Sequence, residues 1–164
     1  MIDEQEIINT ILDNDGSGRD LRVNKLTCEE ACLLIINISY LFTLKSNSDE
    51  NGNSVLGNDP SEYQNSICRS NTFHSYWENG NGIMKDIQLF YYRTEDGFFC
   101  PEITFFPDAI KNDLNFTEFV AFLKKLFFGL TIKEFYLGYE SVAWEYGDTT
   151  EGSGVFLTHR DIVL

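Results

Sequence analysis

The sequence is poor in positive charge, in proline and in long apolar runs. Only 12 of its 164 residues are Lys or Arg, against 26 Asp or Glu, so the formal net charge is −14. Such a charge repels nucleic-acid phosphates and anionic lipid headgroups, which excludes non-specific binding to DNA, RNA or anionic membranes. We therefore expect no nucleic-acid and no membrane partner, and a protein partner of basic character.

Signals for secretion and for membrane insertion are also missing. The stretch from Met1 to Glu6 is acidic, whereas a signal peptide begins with basic residues followed by an apolar segment. The longest apolar run covers 31–36 and resumes at 38–42, which is shorter than the ~20 residues that cross a bilayer. These features predict a cytoplasmic protein.

The chain has enough apolar residues for one folded domain, with 43% apolar and 15% aromatic content. A chain of this length buries roughly two-thirds of its unfolded surface, so it needs neither a disulfide nor a metal to form a core. The spacing of Cys28, Cys32, Cys68 and Cys100 is not that of a zinc site. We expect free, mostly buried thiols, no metal and no cofactor.

The apolar spacing predicts one α+β domain over residues 1–164, with a mainly antiparallel sheet packed against two or three helices. Residues 46–59 are rich in Asn, Ser, Gly and Asp and are predicted to form a polar loop or a partly disordered insertion. The predicted elements are helices over 3–12, 28–44 and 115–129, a hairpin of 85–93 with 98–106, and strands over 133–146 and 154–163.

Capping and turn residues support several of these elements. Thr27 and Asn115 each precede a helix and are followed three residues later by Glu, which predicts a capping box. Gly97 is suited to the positive φ of the hairpin turn. Pro101 has no N–H to donate, so the second strand of the hairpin is predicted to be an edge strand or to be bulged there.

Residues 13–24 partly match a calcium-binding loop. Asp13, Asp15, Ser17 and Gly18 fit its first half, but the twelfth position, where a bidentate Glu is needed, is Asn24. The eighth position, usually apolar, is Asp20. A polar turn that ends the first helix is the favoured interpretation.

No catalytic motif is evident. A hydrolase could use His74 or His159 together with Cys68 or Cys100, but no Gly-rich elbow surrounds either cysteine. The 26 acidic residues also offer carboxylate pairs of the kind used by glycosidases, but their number makes any one pair uninformative. A phosphate-binding loop and a dinucleotide fingerprint are also missing. We predict that the protein is not an enzyme.

The C-terminal third mixes carboxylates with large aromatic side chains. Aromatic residues supply buried anchors in protein interfaces, and acidic residues steer a basic partner and pair with its Arg or Lys. This pattern predicts a partner-binding surface made of Tyr139, Glu140, Trp144, Glu145, Tyr146, Asp148 and Glu151.

The same stretch, 139–149 followed by 152–156, resembles bacterial immunity proteins of polymorphic toxin and contact-dependent growth inhibition systems. Several of those small acidic α+β proteins end in a similar "YE…W-x-Y-G-D-T…SGV" sequence. The resemblance implies an inhibitor that binds a cognate toxin domain. Many such toxins are nucleases, whose phosphate-binding clefts are basic and would attract an acidic protein.

Two other functions fit the composition. An acidic DNA mimic or anti-restriction protein would space its carboxylates like phosphates over one face. A small enzyme with an unrecognised site would have a polar pocket with shifted carboxyl or His pKa values.

Overall fold

The computed structural model describes residues 2–57, 59–132, 134–140 and 154–164. Within these ranges the chain forms the predicted single α+β domain. The helices are α1 (Glu4–Leu12), α2 (Cys28–Leu41), α3 (Tyr63–Ile67) and α4 (Phe116–Leu126), with 3-10 turns at Pro60–Glu62 and Pro107–Ala109. The strands are β1 (Arg19–Val23), β2 (Thr43–Asp49), β3 (Thr72–Glu78), β4 (Ile87–Arg93), β5 (Phe99–Phe105), β6 (Phe135–Tyr139) and β7 (Val155–Thr158).

The described strands form one sheet in the order β2-β3-β4-β5-β1-β6-β7. Every neighbouring pair is antiparallel, which confirms the predicted sheet type. The hairpin of β4 and β5 is confirmed, with Gly97 at a φ of +84° in its turn.

One face of the sheet packs against the helices. Because side chains alternate along a strand, Leu21, Leu89, Ile103 and Leu137 point to the same side, and all four are buried. They join one apolar cluster with the buried residues of α1, α2 and α4. Apolar residues of the helices predicted from the sequence are therefore the ones that cover the sheet.

Both predicted capping boxes are present, at Thr27 with Glu30 and at Asn115 with Glu118. The helix predicted over 28–44 ends earlier, at Leu41, because Phe42 adopts an extended backbone and buries its ring in the core. The chain then continues directly into β2.

Strand β2 occupies the start of the polar segment that the sequence assigned to a loop. An edge strand buries little apolar surface, so Ser, Asn and Asp are tolerated there. The Asn47 side-chain oxygen accepts hydrogen bonds from the backbone N–H groups of Val55 and Leu56, both at 2.8 Å. This side chain ties the following irregular segment to the sheet.

Strand β1 was not predicted, and it lies between β5 and β6 inside the sheet. The prediction of an edge position for the strand that contains Pro101 is therefore wrong. The alternative of a bulge in that strand is also wrong, because the β4–β5 register runs without a shift through Tyr91 opposite Pro101. The β1–β5 register ends with Arg22 opposite Glu102, and an isolated bridge joins Leu26 to Phe99 beyond it, so the facing chain has one more residue than β5 between these two pairs.

The expectation of four free thiols is also wrong. Cys28 and Cys68 form a disulfide with a Cα–Cα distance of 5.7 Å, which joins the start of α2 to the end of α3. The two residues are 40 positions apart, and only the packing of α3 against α2 brings them together. Cys32 and Cys100 are free, and burial raises the pKa of the Cys32 thiol.

Removal of this disulfide should lower the free energy of unfolding by roughly 2–4 kcal/mol, because the unfolded chain regains the freedom of a 40-residue loop. Urea unfolding of the double variant Cys28→Ser/Cys68→Ser measures the loss. Cys100→Ser serves as the control and should unfold like the original protein. Equal stability of the double variant, or a wild-type protein insensitive to reductant, would contradict the expectation.

Candidate partner-binding surface

The loop that partly matches a calcium-binding sequence is held together by one of its own residues, Arg19. The Arg19 side chain is fully buried, and its guanidinium donates to oxygens that surround it. The acceptors are the carbonyls of Thr10 (2.9 Å), Asp13 (2.7 Å), Ser17 (3.0 Å) and Gly18 (3.2 Å), the Ser17 hydroxyl (3.0 Å) and the Asp15 carboxylate (3.4 Å). The oxygens of this loop therefore surround the positive charge of the Arg19 guanidinium.

Tyr139, the first residue of the predicted surface, lies on the helix-covered side of the sheet. Its ring packs against the Arg19 guanidinium, whose Cζ is 4.6 Å from the ring centroid, and against Phe156 at 5.7 Å between centroids. Arg19 pairs with Tyr139 in the β1–β6 register. Tyr139 is therefore half-buried and helps to hold β1, β6 and β7 together.

Glu140, the second residue, points to the opposite side. Its backbone N–H donates to the Gly18 carbonyl at 2.9 Å, and its carboxylate accepts the Gly18 N–H at 2.9 Å. A Cβ at Gly18 would lie 2.9 Å from this carboxylate, so the absence of a side chain leaves room for it. Glu140 is exposed and belongs to the sheet face away from the helices.

The remaining predicted contact residues, Trp144, Glu145, Tyr146, Asp148 and Glu151, lie outside the described residues. The structure thus separates the two members that it does describe. Tyr139 supports the fold, and Glu140 is available to a partner.

The sheet face away from the helices carries a group of aromatic residues that the sequence analysis did not select. We call it the open face. It is defined by the side chains of β1, β3, β4 and β5 that point away from the helices, together with the residue directly after β6. Its members are Asp20, Arg22, His74, Tyr76, Gln88, Phe90, Tyr92, Cys100, Glu102, Thr104 and Glu140. Phe90 is 41% exposed and Tyr92 is 49% exposed. Among the described residues, no helix covers them.

The alternation of buried and outward residues along β4 of the hairpin is the sequence pattern that could have predicted this face. Ile87, Leu89 and Tyr91 are buried on one side of β4, and Phe90 and Tyr92 alternate with them. A strand with aromatic residues at outward positions suggests a second contact surface, since solvent alone favours polar residues there.

The acidic residues of the open face share one cation within the described residues. Arg22 pairs with Glu102, and its Nη2 lies 3.5 Å from the Asp20 carboxylate. Asp20 is buried and also accepts the Thr104 hydroxyl at 2.6 Å. Burial and the neighbouring Asp20 raise the pKa of Glu102 despite the opposing effect of Arg22, and Glu140 adds to the rise.

A recess of about 370 Å³ lies beside these groups, where the chain leaves β1. Its walls include Arg22, Lys25, Tyr92, Pro101 and Glu102. Lys25 has a φ of +51°, which is uncommon for a residue other than glycine, and its amine lies 3.5 Å from the Asp96 carboxylate. The recess and the exposed aromatic rings adjoin on the same face.

The histidines and cysteines do not form a nucleophilic pair in the described part of the chain. His74 Nε2 lies 3.3 Å from the Gln88 side-chain oxygen, and His159 packs against Phe135 and Tyr136. Cys68 is in the disulfide. Within the same ranges, no group of three His, Cys, Asp or Glu side chains is placed to hold a metal ion.

None of the helices in the described ranges has the length and apolar character that a bilayer crossing requires.

The fold is similar to that of one chain in a crystal structure of the toxic C-terminal tip of CdiA from Pseudomonas aeruginosa in complex with immune protein. The TM-score is 0.61 at 15% sequence identity, and the match covers 90% of this chain and 97% of that chain. At an identity this low, the structural match shows a shared fold alone. No protein-family model and no curated protein matches the sequence.

Replacement of Arg19 by Met should lower the free energy of unfolding by about 3 kcal/mol or more, because several buried oxygens lose their donor. Arg19→Lys should recover only part of the loss, since an ammonium group has three N–H donors where a guanidinium has five. Urea unfolding measures both, with exposed Arg160→Met as the control. Equal stability of Arg19→Met and Arg160→Met would contradict this role.

Acid should weaken the same loop. Hydrogen bonds from the Ser17 hydroxyl and backbone N–H, with the nearby Arg19, lower the pKa of Asp15 to about 2 from 3.8. Because the folded-state pKa is the lower one, this stabilisation is present above pH 3.8 and is lost as the pH falls through about 2. Unfolding of wild type and Asp15→Asn between pH 5 and pH 2 tests it. A parallel decline of both proteins would refute the assignment.

Proposed function

We propose that the chain is an immunity protein that binds and neutralises a cognate toxin domain of a contact-dependent growth inhibition system. The observation that carries the proposal is the shared fold with a chain from a complex between the toxic tip of CdiA and immune protein. The C-terminal sequence pattern at 139–156 supports it independently, because it resembles immunity proteins of such systems.

The charge of the chain suggests what the toxin is like. With a net charge of −14, the chain is attracted to a basic surface, and such attraction speeds association at low salt. Nucleases have basic clefts because they bind phosphates. We propose a basic toxin domain, with a nuclease as the type that best fits this charge.

The inhibitor acts by occupancy and has no turnover of its own. Its contact surface includes Glu140 together with Trp144, Glu145, Tyr146, Asp148 and Glu151, in which aromatic rings provide the anchors and carboxylates pair with basic residues. Tyr139 contributes indirectly, since its ring stacks on Arg19. The protein works in the cytoplasm, where it meets toxin that has entered the cell.

The direct test uses the C-terminal domain of the protein encoded immediately upstream of this chain. We expect the two purified proteins to form a one-to-one complex on size-exclusion chromatography. We also expect deletion of this gene to sensitise cells to that toxin. If the domain does not bind, or if deletion leaves the cells resistant, the proposal fails.

The predicted contact set is tested by substitution within that complex. Trp144→Ala should weaken binding at least about tenfold, as expected for an aromatic anchor. Glu145→Gln should mainly slow association at low salt. Tyr40→Ala and Glu95→Gln, at exposed positions on other parts of the surface, are the matched controls. Unchanged binding by Trp144→Ala would remove this residue set from the interface.

A further inference from the structure

The centre of the open face has the composition of a protein contact. Phe90 and Tyr92 stand side by side with Glu102 and Cys100 across the β4–β5 ladder, since Phe90 faces Glu102 and Tyr92 faces Cys100 in the register. Both rings are more than two-fifths exposed in a face that no described helix covers. The cores of protein interfaces are enriched in Phe and Tyr relative to the rest of the protein surface.

The adjoining recess gives this face a defined place for a side chain. It lies where the regular β1–β5 pairing ends after Arg22 and Glu102, next to Pro101, which has no N–H to donate. The volume of about 370 Å³ exceeds that of any amino-acid side chain. Tyr92 forms one wall, and the Glu102 carboxylate lies in the same recess.

The charges around the recess favour a cation from outside. The lysine and the arginine in its walls already contact carboxylates. Arg22 contacts Glu102 and Asp20, and Lys25 contacts Asp96. Glu140 adds a further carboxylate close enough to affect Glu102. Among the described residues, four carboxylates thus lie near two cations, and an incoming acidic residue would meet repulsion where a basic residue would meet attraction.

We infer that the toxin domain inserts a Lys or Arg side chain into this recess, with its charge at Glu102 and its stem against Tyr92. This inference rests on the proposed function and adds a surface that the C-terminal sequence pattern did not indicate. Stacking on an aromatic ring and pairing with a partly buried carboxylate are both available to a guanidinium or ammonium group there. The raised pKa of Glu102 agrees with it, since an additional cation would stabilise the carboxylate.

The experiment measures the affinity of purified variants for the purified toxin domain by surface plasmon resonance at two salt concentrations. Tyr92→Ala should raise Kd at least about tenfold, whereas Tyr92→Phe, which keeps the ring, should bind within about threefold of wild type. Glu102→Gln should raise Kd and reduce its dependence on salt, because one ionic contact is lost. Tyr40→Ala and Phe128→Ala, which truncate exposed rings near the ends of α2 and α4, should bind like wild type.

Each outcome decides the inference. Weaker binding by Tyr92→Ala and Glu102→Gln, with unchanged thermal unfolding and unaffected controls, supports it. Wild-type binding by both variants, or an equal loss in the control variants, overturns it and leaves the proposed function standing. If the salt dependence of Kd is unaltered in Glu102→Gln, the inference that a basic side chain occupies the recess is overturned. If wild-type protein does not bind the toxin domain at all, the inference and the proposed function fail together.

Discussion

The buried guanidinium of Arg19 is the constraint on which this part of the molecule depends. A charge without access to water must be surrounded by acceptors, and Arg19 obtains them from the end of α1 and from the turn that follows. Its other contact is the ring of Tyr139 on β6. One side chain thereby fixes α1, β1 and β6 relative to one another. The same arrangement brings Gly18 beside Glu140, so the direction of that carboxylate follows from the burial of Arg19.

The central position of β1 has a second consequence, for the sheet face away from the helices. Arg22 and Asp20 come from this strand, and Glu102 and Thr104 come from β5 beside it. Their hydrogen bonds and ion pairs satisfy polar groups within the sheet, and the recess lies beside them next to Pro101. The exposed rings of β4 adjoin that recess. The helix-covered face thus gives the domain its stability, and the open face carries the features expected of a protein contact.

Local patterns predicted the elements whose determinants are close in sequence. The capping boxes at Thr27 and Asn115 and the hairpin turn at Gly97 depend on residues within a few positions of each other. Strand β1 was missed because three of its five residues are charged, and only pairing with two neighbouring strands makes them compatible with a sheet interior. Of the predicted contact residues that the structure describes, Glu140 is exposed on the open face, whereas Tyr139 is engaged with Arg19.

The sequence by itself determined the α+β class, the helices that cover the sheet and an acidic chain with aromatic residues near its C-terminal end. These properties follow from composition and from periodicity, which are local or additive. Tertiary structure alone decided the strand order, the Cys28–Cys68 disulfide and the grouping of Tyr92 with Arg22 and Glu102. Each of these joins residues that are distant along the chain, and no local preference specifies which distant segment will supply the partner. The physical reason is that pairing of strands and burial of charge are settled only when the whole core packs together.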